Sequence, residues 1–542
     1  MKQYNKLKKG TFMGNVLVVM FSQVLVKLLG LIYRIYLTNR KGFGDEGNAL
    51  NAGYQIYALL LLLSSIGIPS AVAKLVSEKV TLGDYKGAKK IFKVSLFTVG
   101  CAGLIGSMIL FFGSGFIANE LLHISATQYT LMAVSPSVFL VAISSVIRGY
   151  FNGRNIMKPT AHSQSLEQVL KTVFTIVFVE IAAAVTSTNT VAMAVAANLA
   201  TTFSVISSFI YIYIYLKTRK KFMDDEIQSQ TEYVEETKKS ILKKVLRVAI
   251  PLSLTSIIIS LNRTIDTITV PNALMKIMSE DVATRIYGIF IGKVDTLAGL
   301  PLSLNIAFSV ALIPEIASLK ASKKMNLIKD RISLSFVLTI LIGFPCAFGL
   351  SVFAAPILNL IFPNARDGAE ILSAYSFIVI FTMLVQTLNA TLQGLGNMRT
   401  PVYSLIIGLI IKTILNIILV PNPTFGIYGA IIASIVCYAV VVLIDIAVLK
   451  RMVNLNIDFI KCFIKPLLAS LIMSGVSYLI YKGLLFIIPA RLSTIIALCI
   501  AVLVYAISVV AFKILSKEEY LALPKGEKIY KLVSKFTRKF EI

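Results

Sequence analysis

Apolar segments of about 20 residues recur along the whole chain, separated by short polar breaks. A helix of about 20 apolar residues is long enough to cross a hydrocarbon core of about 30 Å. The pattern therefore predicts an all-α, polytopic membrane protein with 14 transmembrane helices. The predicted spans are 11–37, 52–76, 89–113, 127–151, 160–183, 188–216, 248–272, 286–317, 328–353, 369–393, 401–420, 425–449, 464–487 and 491–512.

The distribution of basic residues supports this count independently. Lys and Arg collect on the cytoplasmic side of a membrane protein, so they should fill alternate loops if the spans are correct. They are frequent in the N-terminal tail, in the loops at 79–93, 217–247 and 320–331, and in the C-terminal tail, and sparse in the intervening loops. The alternation predicts a multi-pass protein of the cytoplasmic membrane with both termini in the cytoplasm.

Composition argues against several other classes of protein. The chain is 56% hydrophobic and 15% charged, whereas soluble domains have about 25% charged residues. Its net charge of +26 lies in loops rather than in a patch with interleaved aromatic residues, so nucleic acid is not an expected partner. The five cysteines form no CxxC pair, and the two histidines, His123 and His162, fall on opposite sides of the membrane. We therefore expect no metal site and no cofactor.

A charged segment at 217–247 divides the chain near its middle. We predict an N-terminal lobe at 1–216 with spans 1–6, a charged cytoplasmic linker at 217–247, and a C-terminal lobe at 248–450 with spans 7–12. Residues 451–542 hold spans 13 and 14 and a basic cytoplasmic tail. The acidic residues of the linker favour a solvated hinge over a metal-binding role.

A weak internal repeat relates the two lobes. The sequence FNGRNIMKP at 151–159 resembles LQGLGNMRTP at 392–401, and a lysine follows each first glycine by eighteen residues, namely Lys171 and Lys412. Coincidence in an apolar chain is the alternative. The six-helix offset predicts a parallel repeat of two lobes, which would rock to alternate access to a substrate between them.

Charged residues inside the spans are the candidates for function, since each costs at least about 2.5 kcal/mol at the bilayer centre. If the bases of spans 1, 7 and 8 face one cavity, that cavity is cationic and suits a phosphate or pyrophosphate group. The candidate substrate-binding residues are Lys27, Arg34, Arg263, Asp266, Lys293 and Thr296.

Glu167 and Lys171 in span 5 are spaced i,i+4, which favours an ion pair on one face of a helix. This pair is expected to be structural or to couple transport to an ion.

The chain resembles the multidrug/oligosaccharidyl-lipid/polysaccharide exporter superfamily, and within it the stage V sporulation protein B group, which is related to the lipid II flippase MurJ. The resemblance covers essentially the whole chain. The motifs that carry it are KLLGLIYR at 27–34, RGYFNG at 148–153 continuing to Pro159-Thr160, IDTI at 265–268, Leu300-Pro301 through Ile313-Pro314, and GIYGA at 426–430.

The resemblance implies two six-helix lobes of the MATE/MurJ type around a cationic cavity, with two C-terminal helices beside a groove for a lipid tail. It further implies that an undecaprenyl-pyrophosphate saccharide is moved headgroup first across the membrane, with membrane lipids as the other partners. Two arginines of the flippases are replaced here. One falls among Leu61, Leu62 and Leu63, and the other falls at Thr296, with Lys293 one turn away.

The expected function is therefore a flippase for a lipid-linked cell-wall precursor, such as lipid II. Two alternatives are export of teichoic or capsular repeat units and cation-coupled multidrug export, in which Glu167 or Asp266 would bind the coupling cation. A membrane-embedded glycosyltransferase is the least favoured, because acid–base or metal chemistry needs clustered histidines or carboxylates. We do not expect an enzyme.

Overall fold

A computed structural model gives the fold. It describes residues 29–522 except for 52, 66, 155, 229–235 and 455–457, together with residues 530 and 534. Throughout this part of the chain the secondary structure is helical, with no strand. Contacts divide the chain into two units, one ending at Gly292 and the other beginning at Lys293.

The described residues of the first unit form ten helices of seven residues or more, and the eighth of them packs against the sixth and the seventh. Their bounds are 29–39 (α1), Gly44–Leu50 (α2), Gly53–Ser65 (α3), Gly67–Thr81 (α4), Tyr85–Phe112 (α5), Thr127–Gly153 (α6), Lys158–Val185 (α7), Thr190–Gln228 (α8), Lys238–Leu274 (α9) and Glu280–Ile289 (α10). A three-residue helix, Ser114–Phe116, precedes a π-helical turn at Ile117–Leu121, and a second π-helical turn, Phe290–Val294, follows α10.

The described residues of the second unit also form ten helices, of which the first packs against the fifth and the sixth against the seventh. Their bounds are Asp295–Ala321 (α11), Met325–Val352 (α12), Ala354–Ile361 (α13), Ala369–Tyr375 (α14), Ile378–Gly394 (α15), Arg399–Leu419 (α16), Ile427–Val453 (α17), Lys465–Leu484 (α18), Ala490–Ala511 (α19) and Lys517–Ala522 (α20). A π-helical turn, Ile460–Ile464, precedes α18.

Local sequence signals explain where several helices begin. Asp84 is the N-cap of α5, and its carboxylate accepts a hydrogen bond from the backbone N–H of Gly87 at 2.7 Å. Thr237 caps α9 in the same way through Ser240. Proline occupies the first turn of α7, where its missing N–H costs nothing.

Helix α16 has its polar residues inside the protein and its apolar residues outside, as expected for a helix surrounded by lipid. Its polar and small residues are buried at a spacing of four, while isoleucines cover the exposed side. The buried residues are Ser404, Gly408, Lys412 and Asn416, and the exposed ones are Ile406, Ile407, Ile410, Ile414, Ile417 and Ile418. A helix with its apolar face outward is stable only against hydrocarbon, so this helix crosses the membrane.

Ten helices of the described chain are long and apolar enough to span a bilayer. They correspond to the predicted spans 3–6 and 9–14. The other four predicted spans are 1, 2, 7 and 8, and span 1 lies partly outside the described residues. The all-α membrane fold is confirmed, whereas the count of fourteen remains a prediction.

The internal repeat has a matching contact in each unit. A Cβ placed on Gly153 would lie 2.6 Å from the carbonyl oxygen of Ala73 and 2.8 Å from the Cβ of Val76. A Cβ on Gly394 would lie 3.0 Å from the carbonyl oxygen of Ile313 and 2.8 Å from the Cβ of Ile316. In both copies a glycine near the end of a helix allows its backbone to approach a neighbouring helix closely. The contacts on that helix are a carbonyl oxygen and the side chain of the residue three positions further along the chain. This shared geometry supports the repeat.

The predicted linker differs from a solvated hinge. Helix α8 continues to Gln228 and α9 begins at Lys238, so much of 217–247 is helical. Its acidic residues contact bases of the first unit: Asp224 binds Lys89 at 2.6 Å, and Glu226 binds Arg154. The hydrogen bond from Lys89 lowers the pKa of Asp224. The charge pattern is that of a soluble linker, but Lys89 on α5 and Arg154 directly after α6 hold the segment in place.

Candidate substrate-binding residues

Arg34 lies on α1 and reaches the backbone of the π-helical turn that follows α10. Its guanidinium donates hydrogen bonds to the carbonyl oxygens of Ile291 at 2.8 Å and Gly292 at 3.4 Å. In a π-helical turn the regular pattern of hydrogen bonds to the fourth preceding residue is interrupted, and such turns are frequent at functional sites. The contact shows that the Arg34 guanidinium is held by the backbone of this turn.

Arg148 donates hydrogen bonds to three side chains on two neighbouring helices. From α6 its guanidinium donates to Ser163 Oγ at 2.9 Å and to Glu167 Oε2 at 3.0 Å on α7. It also donates to Ser208 Oγ on α8 at 2.8 Å. The Arg148 side chain is only 11% exposed, so these bonds compensate its desolvation. Three membrane-spanning helices are joined at one buried cation.

Arg148 is not among the candidates chosen from the sequence, because it lies only three residues before the predicted end of span 4. Ser163 and Glu167 lie one turn apart on α7, so both polar side chains are on the same face of this helix. This spacing is the sequence signal for a base on a neighbouring helix that donates hydrogen bonds to both.

Glu167 and Lys171 do not form the expected i,i+4 ion pair. The Glu167 carboxylate binds Arg148 instead, and the Lys171 amine binds the hydroxyl of Tyr54 at 3.2 Å. The Lys171 Nζ also lies 4.6 Å from the ring centroid of Tyr54 and 5.0 Å from that of Tyr33. Two tyrosines from α3 and α1 thus hold a lysine from α7, with no carboxylate in contact with its amine among the described residues.

On α9, the candidates Arg263 and Asp266 differ in burial. The Arg263 side chain is exposed and Asp266 is buried, as is Asn262 beside them. Asp266 therefore sits on the packed side of this helix, while Arg263 is the accessible base.

In the second unit, Lys293 is fully buried and donates to the carbonyl oxygen of Ala365 at 3.0 Å. Thr296 is half-buried, and the neighbouring Asp295 accepts a hydrogen bond from the hydroxyl of Tyr375 at 3.1 Å. Lys293 is thus covered by the chain around Ala365 in this conformation. The remaining candidate, Lys27, lies outside the described residues.

Other intramembrane polar groups join helices to one another. Asn305 on α11 donates to the carbonyl oxygen of Met383 at 3.0 Å and to Gln386 Oε1 at 2.9 Å on α15. Thr339 on α12 and Thr387 on α15 share a hydrogen bond of 2.7 Å. Hydrogen bonds of this kind hold helices together in lipid, so these residues are structural.

The family profile described as polysaccharide biosynthesis protein matches residues 12–320, which is more than half of the chain. The chain belongs to this family. A second profile, described as MatE, matches residues 251–418. The chain is thus a membrane transporter of the multidrug/oligosaccharidyl-lipid/polysaccharide exporter superfamily, as its sequence motifs indicated.

Two relatives from Bacillus subtilis are similar over most of their length. Stage V sporulation protein B is 26% identical over 522 residues, covering 96% of this chain and 98% of the relative. The lipid II flippase MurJ is 26% identical over 484 residues, covering 87% of each. Among solved structures, an inward closed conformation of the lipid II flippase MurJ matches with a TM-score of 0.66 at 17% identity, covering 92% of this chain and 98% of that one. The MATE/MurJ-like fold is confirmed.

Proposed function

We propose that this transporter is a flippase for a lipid-linked cell-wall precursor, lipid II or a related undecaprenyl-pyrophosphate saccharide. It moves the headgroup across the cytoplasmic membrane by alternating access of two six-helix lobes. The orientation that follows from the basic loops places both termini in the cytoplasm. Similarity to stage V sporulation protein B and to the lipid II flippase MurJ supports this choice of substrate class.

The observation that carries the proposal is a lysine in a membrane-spanning helix of the first unit whose amine contacts no carboxylate among the described residues. Arg148 is balanced by Glu167, but the amine of Lys171 is held by tyrosines and contacts no carboxylate within the described chain. Arg34 adds a second base in the same unit, and its guanidinium donates hydrogen bonds to the backbone carbonyls of Ile291 and Gly292. A pyrophosphate would supply the negative charge that the protein leaves out, through charge-assisted hydrogen bonds.

We propose that Arg34 and Arg263, with Lys27, form a cationic surface of the first unit that the headgroup meets. We propose that Lys293 of the second unit is a further base that binds the headgroup. Asp266 orients a neighbouring base, and Thr296 stands where the flippases carry an arginine. The Lys293–Ala365 contact opens when the substrate enters, because the amine is otherwise covered.

Two other substrates remain as outcomes of the test. The polysaccharide biosynthesis profile favours export of teichoic or capsular repeat units, and the MatE match over residues 251–418 favours drug export. Cation-coupled drug export through Glu167 is disfavoured because Arg148 already occupies its carboxylate.

The decisive experiment is translocation in vesicles that contain the purified protein and one of two labelled substrates, lipid II or a teichoic acid precursor. We expect lipid II to be moved, and Arg34→Ala and Arg263→Ala to reduce its rate at least tenfold at unchanged protein level. Lys41→Ala removes an exposed loop base and serves as the matched control. Movement of the teichoic precursor alone would reassign the substrate. Full activity of both arginine variants would refute the cationic surface.

A further inference from the structure

A cavity of about 440 Å³ lies in the first unit between the end of α4 and the beginning of α9. Four basic and two acidic side chains line it, so its wall carries net positive charge. The charged residues are Lys74, Glu78, Lys79, Glu236, Lys244 and Arg247. None of them belongs to the proposed substrate-binding set.

Ion pairing sorts these charges into two groups. Glu236 bridges Lys79 at 2.8 Å and Lys244 at 2.6 Å, and Lys79 also binds Asp84 at 2.8 Å. Lys74 and Arg247 are exposed, and within the described parts of the chain neither has an ion-pair or hydrogen-bond partner. The bridge fixes the cavity walls, and these two bases are available to a ligand.

The remaining wall is aliphatic. Leu75, Ile91 and Ile241 are buried behind the charged residues and belong to the same cluster of packed side chains. The lining contains no aromatic side chain on which a nucleotide base could stack. Bases beside an aliphatic wall at the edge of a membrane helix suit a phosphate ester that carries an acyl chain.

The position of the cavity fits the same ligand. Lys74 lies two residues before the predicted end of span 2, and Arg247 lies one residue before the predicted start of span 7. Both therefore stand at the membrane–water boundary, on the side where the basic loops collect. Anionic lipid headgroups occupy this depth.

We propose that this cavity binds a phosphate ester anion, supplied by the headgroup of an anionic membrane lipid, with Lys74 and Arg247 as its ligands. Such a lipid contacts α4 and α9 together and stabilises their packing. The site is separate from substrate binding and does not depend on the nature of the transported molecule.

Native mass spectrometry of the delipidated full-length protein tests the proposal, with phosphatidylglycerol and phosphatidylcholine as the two lipid probes. We expect wild-type protein to bind phosphatidylglycerol more tightly than phosphatidylcholine. The double variant Lys74→Gln, Arg247→Gln should weaken phosphatidylglycerol binding about tenfold or more, since each base near a membrane surface contributes about 1 kcal/mol.

Control variants that remove the same charge elsewhere test whether binding depends on this cavity or only on the net charge of the protein. Lys239→Gln with Lys243→Gln removes the same charge from exposed positions on α9 outside the cavity, and should leave binding within about twofold of wild type. Glu78→Gln removes a negative charge from the wall and should tighten binding several-fold. Arg34→Ala should bind phosphatidylglycerol as wild type does, which distinguishes this site from the substrate surface.

Soluble glycerol 3-phosphate identifies the source of the phosphate. Failure of this compound to compete supports a lipid, whereas competition at micromolar concentration would overturn the lipid assignment in favour of a soluble phosphate ester. Equal phosphatidylglycerol binding by wild type and by the Lys74, Arg247 double variant would overturn the site itself.

Discussion

The guanidinium of Arg148 lies 3.0 Å from the carboxylate of Glu167, which joins α6 to α7 inside the membrane. This contact takes Glu167 away from Lys171, its neighbour four residues along the same helix, and leaves Lys171 to Tyr33 and Tyr54. The ion pair between α6 and α7 thus occupies the Glu167 carboxylate, so that Lys171 on α7 has no carboxylate in contact with its amine among the described residues. The choice of partner therefore decides which of the two bases is paired with the carboxylate and which is held by tyrosines.

Removing Arg148 should destabilise the protein strongly. Arg148→Ala leaves the Glu167 carboxylate without its base, and we expect a loss of about 2–3 kcal/mol, less than for a fully enclosed pair because Glu167 is 28% exposed. The effect of Arg148→Ala combined with Glu167→Gln should be smaller than the sum of the single effects. Thermal unfolding followed by size-exclusion chromatography measures this, with the exposed Lys217→Ala on α8 as control. Additive effects would contradict an energetic coupling between the two groups.

Substitutions of Lys171 and of Tyr54, which contacts it, should reduce transport to different extents. Tyr54→Phe removes the hydroxyl but keeps the ring beside the amine, so it should reduce transport less than Tyr54→Leu, which removes both. Lys171→Met removes the charge itself and should reduce lipid II translocation at least tenfold with normal insertion. Equal rates for wild type and Lys171→Met would show that this cation is only structural.

The glycine of the repeat should tolerate no side chain. In Gly153→Ala the new Cβ meets a backbone carbonyl at 2.6 Å, and we expect a loss of about 1–3 kcal/mol from overpacking. Gly394→Ala should follow the same direction through the carbonyl of Ile313. Gly475→Ala is the control, because a Cβ at that helical position meets nothing within 4 Å and should stabilise by about 0.5–1 kcal/mol. Unfolding temperatures of the three variants compare these effects directly; an unchanged Gly153→Ala would contradict the close approach.

The bridge at Glu236 should depend on pH. Hydrogen bonds from Lys244 and Lys79 lower the pKa of Glu236 from its ordinary value of 4.5. A lowered pKa means that the stabilisation, about 1 kcal/mol for a pair of this exposure, is complete above the ordinary value and is lost as the pH falls through the folded value. The difference in unfolding temperature between wild type and Glu236→Gln should therefore be constant from pH 8 to pH 6. It should shrink only in acid below the ordinary glutamate range; a difference that vanishes near neutral pH would contradict a lowered pKa.

Several features of the fold could be predicted because they depend on short stretches of chain. Apolar length identified all ten helices that meet the requirements for a membrane span. The glycine motifs at 153 and 394 predicted the repeat, and the contacts of the two glycines match. Asp445 shows the limit of this reasoning. It lies four residues before the predicted end of span 12, yet the carboxylate is completely buried.

The sequence by itself determined that this protein lies in a membrane, that it is helical and to which family it belongs. The free-energy cost of placing polar groups in hydrocarbon acts on each segment separately, so apolar segments can be recognised one at a time. Tertiary structure alone decided which charges meet: Arg148 with Glu167, Lys171 with two tyrosines, and Lys293 with the carbonyl of Ala365. Coulombic and hydrogen-bond energies change steeply with distance. Partners that come from helices far apart in the chain are fixed only when those helices pack.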